Sequence, residues 1–258
     1  MTTIKIGSLF SGIGGFDLGL ERGIPNSRTI WQVEKDLFCQ RILRKHWPNS
    51  TIYSDVKTVG SHNLKPVSIL CAGFPCQDLS ICGKGAGIYE GKKSNLFWEV
   101  YRIACELRPK IIILENVPAI THRGASDVVG SLSSIGYDSE WAIISASSQG
   151  APHKRERWFC VSYPSQFTNK RWPTTNSNSN RIRNKSPIQT GRTASNAHVI
   201  EGLSFWQKFK APYPVCDLDD GISERLARLR ALGNSIVPQC SEYVGKLVHN
   251  SGLLNNLS

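Results

Sequence analysis

Short apolar segments alternate with segments of helical periodicity over the first 162 residues of this 258-residue chain, and this order constrains its fold most. The first apolar segment, residues 4–10, runs into the glycine-rich peptide Ser11–Gly15, and residues 17–22 follow with helical spacing. A strand, a glycine loop and a helix in this order open a nucleotide-binding βαβ unit. Residues 67–72 and 110–114 are continuously apolar, as in parallel strands that are covered on both faces. The pattern therefore predicts an α/β fold with a doubly wound sheet.

The remaining elements continue this alternation. Further strands are predicted over 28–33, 51–53, 137–145 and 158–161. Helices are predicted over 36–46, 95–107, 128–135, 223–232 and 237–247. The long segment 73–93 between a strand and a helix carries several glycines, and a loop of that length is usually functional, often a lid.

The composition changes after residue 162. Residues 163–215 are rich in Asn, Ser, Thr and Arg, and they hold eight lysines or arginines against one acidic residue, Glu201. Most of the formal net charge of +11 therefore lies in this segment, with aromatic residues interleaved. Such a basic segment indicates a polyanionic partner, most often nucleic acid, with a solvated linker over 174–195 as the alternative. We divide the chain into an α/β domain (1–162), a small basic region (163–215) and C-terminal helices (216–258) that return to the first domain.

Several classes of protein are disfavoured by the sequence. The chain has no run of 18 apolar residues and no apolar segment typical of a secretory signal, so we expect a cytoplasmic protein. None of the eight cysteines forms a C-x-x-C pair, which argues against a zinc knuckle or a redox pair and leaves reduced thiols as the expectation. We expect no bound metal.

One cysteine has an unusual setting. Cys76 directly follows Pro75 in the peptide Gly73–Ser80, at the carboxyl end of a predicted buried strand. Proline restricts both its own backbone and that of Phe74, so the thiol is presented by a stiffened chain at the edge where open α/β sheets do chemistry. A buried structural cysteine is the common alternative.

Acidic residues follow three predicted strands. Glu34 lies 22 residues after Gly12, a spacing at which a carboxylate reaches ribose hydroxyls. Asp55 and Glu115 follow later strands. A glycine loop alone would equally suit a dinucleotide, although the spacing here is not a full G-x-G-x-x-G.

Together these segments resemble the cytosine-5 DNA methyltransferase family, in the family's order and over nearly the whole chain. The resemblance rests on Phe10–Phe16, Glu34, Asp55, Gly73–Gln77, Glu115–Val117, Lys154–Arg157 and Gly233–Pro238. It implies a Rossmann-like mixed sheet, the methyltransferase fold, with residues 1–162 as the catalytic domain and 163–215 as an irregular target-recognition region.

The resemblance also implies the catalytic residues. Cys76 would attack carbon 6 of cytosine as a thiolate, and Glu115 would protonate ring nitrogen 3, which requires a raised pKa. Arg155 would contact the base carbonyl oxygen, with Arg157 as its supporting partner. In isolation, Lys154–Arg157 would more often be a solvated charge run. His153 stands where many members have glutamine, which leaves both arginines in register.

The implied methyl donor is S-adenosylmethionine, which leaves as S-adenosylhomocysteine. Phe10 would stack on adenine, Glu34 would bind the ribose and Asp55 the adenine amino group, while Asn234 and Ser235 would close the pocket near the methionine part. The full set of implied donor-binding residues is Phe10, Ser11, Gly12, Gly14, Gly15, Glu34, Asp55, Val56, Phe74, Pro75, Asn234 and Ser235.

The implied substrate is duplex DNA, with the target cytosine flipped out of the helix. The basic region would hold phosphates and read base edges. The basic helix over 225–232 faces either phosphate or the core. Two alternatives stay open: a relative that acts on tRNA, and a catalytically silent DNA-binding homologue. We expect a monomer from a restriction–modification system, a phage or a mobile element, working in a bacterial or phage-infected cell.

Overall fold

The computed structural model describes residues 3–75, 96–167 and 231–254. Within these ranges, a seven-stranded sheet has the order β3-β2-β1-β4-β5-β7-β6. Its strands are β1 (Ile4–Leu9), β2 (Ser27–Val33), β3 (Thr51–Tyr53), β4 (Ile69–Gly73), β5 (Ile111–Asn116), β6 (Tyr137–Ser145) and β7 (Glu156–Pro164). Strands β1 to β5 pair in parallel, and β7 lies antiparallel between β5 and β6. The predicted α/β fold with a mixed, doubly wound sheet is therefore confirmed.

Helices cover both faces of the sheet. They are α1 (Gly15–Gly23), α2 (Leu37–His46), α3 (Leu96–Leu107), α4 (Ile120–Arg123), α5 (Ala125–Ser134) and α6 (Pro238–Asn250). Apolar residues of α3 and α5 pack with one face of the sheet, and those of α1 and α6 pack with the other. Because both faces are covered, the central strands are apolar along nearly their whole length.

The C-terminal helix packs directly against the first helix. A Cβ atom at Gly19 of α1 would lie 2.0 Å from Ser241 Oγ and 2.3 Å from the carbonyl oxygen of Pro238, so only glycine allows this approach. Ser241 also donates a hydrogen bond of 3.1 Å to the carbonyl oxygen of Gly15. The end of the chain is thereby joined to the glycine loop near its beginning.

Two strands are longer than their apolar residues indicate. Strand β5 continues through Glu115 and Asn116, and β7 begins at Glu156, so that Arg157 lies within the sheet. Glu115 pairs with Phe159 and Asn116 with Trp158. Backbone pairing between neighbouring strands does not depend on apolar side chains, which is why hydropathy missed these ends.

Several predicted features lie outside the described residues. They are Cys76, most of the predicted lid (76–93), most of the basic region (168–215) and most of the predicted helix over 223–232. Strand β7 runs to Pro164, two residues past the predicted domain boundary at 162. In the ranges that the structure describes, no helix is both long and apolar enough to cross a membrane.

Candidate active site

A cleft of about 770 Å³ opens at the carboxyl ends of the parallel strands. This is the edge at which open α/β sheets bind ligands. The predicted site residues that line it are Phe10, Gly12, Glu34, Asp55, Val56, Phe74, Pro75, Glu115, Arg157 and Asn234. A small recess of about 30 Å³ lies between the glycine loop and residues 234–236, and Ser11 and Ser235 are among its lining residues. Residues far apart in the sequence thus share one cleft.

The glycine loop turns sharply where it meets the cleft. Phe10 has a φ of 56° and Gly12 a φ of 57°, both in the left-handed region. A Cβ atom at Gly12 would meet no protein atom within 4 Å, so this position faces open space. The other end of the loop packs against protein: a Cβ on Gly14 would come within 2.3 Å of the Trp47 ring, and one on Gly15 within 2.3 Å of the carbonyl oxygen of Ile236. The loop therefore presents bare backbone to the cleft.

Glu34 fixes this loop from the end of β2. Its Oε2 accepts a hydrogen bond of 2.7 Å from the Gly12 backbone N–H, and its Oε1 accepts one of 2.8 Å from the Asp36 N–H. A carboxylate offers about four lone-pair sites, so Glu34 can still accept hydrogen bonds from a ligand.

Asp55 and Val56 form another part of the cleft wall. Asp55 Oδ1 accepts a hydrogen bond of 2.9 Å from the Lys57 N–H at the start of a short 3₁₀ turn, and Val56 is buried. The Asp55 carboxylate keeps further acceptor sites at the cleft.

Glu115 is a buried acid at the floor of the cleft. It pairs in register with Gly73 of β4, where a Cβ atom would lie 3.2 Å from Glu115 Oε2, so glycine leaves room for the carboxyl group. Arg157 Nε lies 2.9 Å from Glu115 Oε1. Burial raises the pKa of Glu115 from 4.5 to about 7, and it outweighs the opposing effects of Arg157 and Arg155. Glu115 can therefore donate a proton near neutral pH.

Arg157 in β7 and Arg155 just before that strand have different partners. Arg157 pairs with Glu115 and lines the cleft. Arg155 instead donates through Nη2 to the carbonyl oxygens of Gly233, at 2.8 Å, and Ser235, at 2.7 Å. Arg155 thereby holds the turn that brings Asn234 and Ser235 to the site.

The approach to Cys76 is also fixed. Asn116 Nδ2 donates a hydrogen bond of 3.0 Å to the Phe74 carbonyl oxygen, and Phe74 and Pro75 line the cleft. Among the described cysteines, burial raises the pKa of Cys39, Cys160 and Cys240 to about 12, and it also raises the pKa of Cys71 well above its ordinary value. These four thiols therefore remain protonated at neutral pH and are poor nucleophiles.

The site also contains residues that the sequence motifs did not indicate. Lys35 and Cys39 also line the cleft, and a buried carboxylate, Asp17, lies directly behind the glycine loop. The sequence pattern that could have indicated a buried Asp17 is its position between Phe16 and Leu20 on the apolar side of α1. Among the described residues, no cluster of His, Cys, Asp and Glu is suited to a metal ion.

Comparison with known proteins identifies the family. Residues 4–212 match the family described as C-5 cytosine-specific DNA methylase. The chain belongs to this family. The membership predicted from the motifs is thus confirmed. The type II methyltransferase M.CviJI of Paramecium bursaria Chlorella virus IL3A is 31% identical over 91% of this chain and 56% of its own length. M.HhaI of Haemophilus parahaemolyticus is 29% identical over 63% of this chain and 50% of its own length.

Solved structures agree with this assignment. One is a putative DNA modification methyltransferase encoded within an E. coli prophage, with a TM-score of 0.53 and 26% sequence identity. The match covers 64% of this chain and 48% of that protein. Spodoptera frugiperda DNMT2, solved as a mutant, has a TM-score of 0.55 and 20% identity over 67% of this chain and 53% of its own, and it supports the fold. The chain spans about half the length of the curated relatives it matches.

Proposed function

We propose that this protein transfers a methyl group from S-adenosylmethionine to carbon 5 of a flipped-out cytosine in duplex DNA. One observation carries the proposal: Glu115, a buried acid with a pKa raised to about 7, lines the same cleft as the glycine loop and Glu34. The cleft therefore combines a proton donor for the cytosine with a loop suited to a nucleotide-like methyl donor. Methyl transfer requires both bound molecules to lie side by side.

The residues of the cleft fit the donor. Gly12 faces open space, which permits close approach to the backbone, while Glu34 and Asp55 keep acceptor sites for hydroxyl and amino groups. Phe10 lines the same wall and offers a face for stacking on adenine. When bound, S-adenosylmethionine supplies a methyl group on a sulfonium centre. The cleft volume of about 770 Å³ is ample for a ligand of this size.

Glu115 and Arg157 would activate the cytosine. Attack on carbon 6 is easier when nitrogen 3 takes a proton, and protonated Glu115 is the donor for this step. Arg157 holds the carboxyl group at 2.9 Å and lies in the cleft, so we assign it the contact with the base carbonyl oxygen. This reverses the order that the family resemblance implied, because the Arg155 side chain is engaged with Gly233 and Ser235.

Cys76 would act as the nucleophile. Its thiolate sulfur bonds to carbon 6, the electron pair of the 5,6 double bond becomes available at carbon 5, and Glu115 places its proton on nitrogen 3. After carbon 5 has taken the methyl group, solvent water accepts the carbon 5 proton, the 5,6 double bond re-forms and the thiolate is expelled. The nitrogen 3 proton then returns to Glu115.

The substrate class is tested by methyl transfer from labelled S-adenosylmethionine to unmethylated bacteriophage DNA and to unmodified tRNA in parallel. We expect label in the DNA, and bisulfite sequencing of that DNA then maps the recognition sequence. Label confined to tRNA would identify an RNA methyltransferase instead. Duplex binding without label in either substrate would identify a silent homologue.

Replacing Glu34 with alanine should weaken donor binding. The change removes the carboxylate that accepts a hydrogen bond from the glycine loop and would accept others from the ribose hydroxyls. Loss of charge-assisted hydrogen bonds of this kind should lower the affinity for the donor by about 10- to 100-fold. Isothermal titration with S-adenosylhomocysteine measures the effect. Asp127→Ala, a change of an acidic residue outside the cleft, is the matched control and should bind normally. An unchanged Kd in Glu34→Ala would contradict the donor assignment.

A further inference from the structure

A chain of polar side chains lies buried beneath the glycine loop. Ser8 of β1 is in register with Gln32 of β2 and Cys71 of β4, under the first turn of α1. The Asp17 carboxylate from that turn is fully buried. Its Oδ2 accepts a hydrogen bond of 3.2 Å from Ser8 Oγ, and its Oδ1 accepts one of 3.1 Å from Gln32 Nε2. Ser11 Oγ in turn lies 2.9 Å from Ser8 Oγ, which links Asp17 to the glycine loop.

The charge on Asp17 decides the direction of the hydrogen bond between Asp17 and Ser8. An ionised carboxylate can only accept, so Ser8 must donate its single hydroxyl proton to Asp17. Ser8 Oγ can then only accept, and the Ser11 hydroxyl proton is used inward, either on Ser8 Oγ at 2.9 Å or on the Ser8 carbonyl oxygen at 3.3 Å. The Ser11 hydroxyl can therefore only accept a hydrogen bond from a ligand.

Ser11 lines the small recess between the glycine loop and the C-terminal turn. At about 30 Å³, against about 770 Å³ for the cleft, the recess accepts one terminal group and not a whole ligand. Glu115 and Asn234 are also among its lining residues, and both side chains carry oxygen atoms that can accept hydrogen bonds. No lysine or arginine among the described residues lines it. Its chemistry therefore suits a compact cation that carries N–H donors.

We propose that Asp17 is a positioning residue for donor binding, which acts through Ser8 to hold the Ser11 hydroxyl as an acceptor for the α-ammonium group of S-adenosylmethionine. The ammonium group needs acceptors for its three N–H bonds, whereas the sulfonium centre has no N–H to donate. This inference rests on the proposed function, since it concerns the same donor.

The ionisation state of Asp17 is consistent with this role. Burial raises its pKa to about 6, so the carboxylate is predominantly ionised at neutral pH. Glu21 on α1 also raises this pKa, and the Cys71 thiol on β4 stays protonated because burial raises its own pKa. An asparagine at position 17 could donate to Ser8, and the Ser8 proton would then turn to Ser11 Oγ and occupy a lone pair that the ammonium group would otherwise use.

Two ligands that differ only in the ammonium group test the proposal. Calorimetry would compare S-adenosylhomocysteine with its deaminated analogue, 4-(5′-adenosylthio)butanoate. We expect the unmodified protein to bind S-adenosylhomocysteine with a Kd about 10-fold or more below that of the analogue, because hydrogen bonds to a charged group contribute this much to affinity. In Asp17→Asn and Ser11→Ala this preference should fall below about 3-fold, with the affinity for the analogue unchanged.

Thr29→Val is the matched control. Thr29 is buried on β2 and its hydroxyl has no hydrogen-bond partner among the described residues, so this change should preserve the preference. Equal weakening of both ligands in Asp17→Asn would reveal a purely structural role and overturn the proposal. If that variant does not fold, an unchanged preference in Ser11→Ala overturns it equally. Failure of the unmodified protein to bind either ligand would instead contradict the proposed function itself.

Discussion

Replacing Cys76 with alanine is expected to abolish methyl transfer while leaving duplex binding within about 3-fold of normal. The variant lacks the sulfur that attacks carbon 6, and loss of a catalytic nucleophile typically costs at least about 10³-fold in kcat. DNA affinity should persist because phosphate contacts, rather than the nucleophile, supply most of the binding free energy. The measurements are methyl transfer to phage DNA and a filter-binding Kd on the same DNA.

The control for this change is Cys105→Ala, since Cys105 is a half-buried residue of α3 that does not line the cleft. Duplex DNA that contains 5-fluorocytosine adds a direct readout, because carbon 5 then has no proton to lose and the adduct persists. A denaturing gel should show the adduct for the unmodified protein and for Cys105→Ala, but not for Cys76→Ala. Undiminished methylation by Cys76→Ala would refute the assigned nucleophile.

Glu115→Gln is expected to lower kcat by about 10² to 10⁴, the usual contribution of general acid catalysis. The amide keeps the shape of the carboxyl group but has no acidic proton for nitrogen 3. Since the pKa of Glu115 is about 7, the rate of the unmodified enzyme should decline as the pH rises through about 7, and the variant should lack this decline. A pH profile of kcat for both proteins tests the assignment, and the same decline in the variant would contradict it.

The same residue links stability to pH. The pKa of Glu115 rises from 4.5 to about 7 on folding, so the folded protein holds this proton more tightly than the unfolded chain. The resulting stabilisation is fully present below about pH 4.5 and is lost as the pH rises through about 7. Glu115→Gln lacks this dependence. Its melting temperature relative to the unmodified protein should therefore increase between about pH 5 and about pH 8.

Much of the fold could be predicted from local patterns. Alternating apolar and helical segments predicted the α/β class, and the predicted strand over 137–145 coincides with β6. The ends of β5 and β7 were missed because Glu115 and Arg157 extend their strands through backbone pairing with neighbouring strands. Hydropathy reports burial of side chains and not the pairing of polar residues at a strand end.

The candidate site was only partly predictable. The motifs indicated Glu34 and Glu115, and the structure brings both to one cleft. The difference in partners between Arg155 and Arg157 could not be predicted, since two arginines separated by one residue are equivalent in sequence. Their different partners, Gly233 and Ser235 for one and Glu115 for the other, arise from distant segments that pack around them.

The amino-acid sequence by itself determined the class of fold and the family, and it indicated the candidate reactive groups, because these depend on residue types and on their order along the chain. Only the tertiary structure decided which groups share a cleft, which buried acids have raised pKa values and what the buried Asp17 contacts. Those properties depend on burial and on charges contributed by strands and helices that are remote in sequence, and no local pattern encodes them.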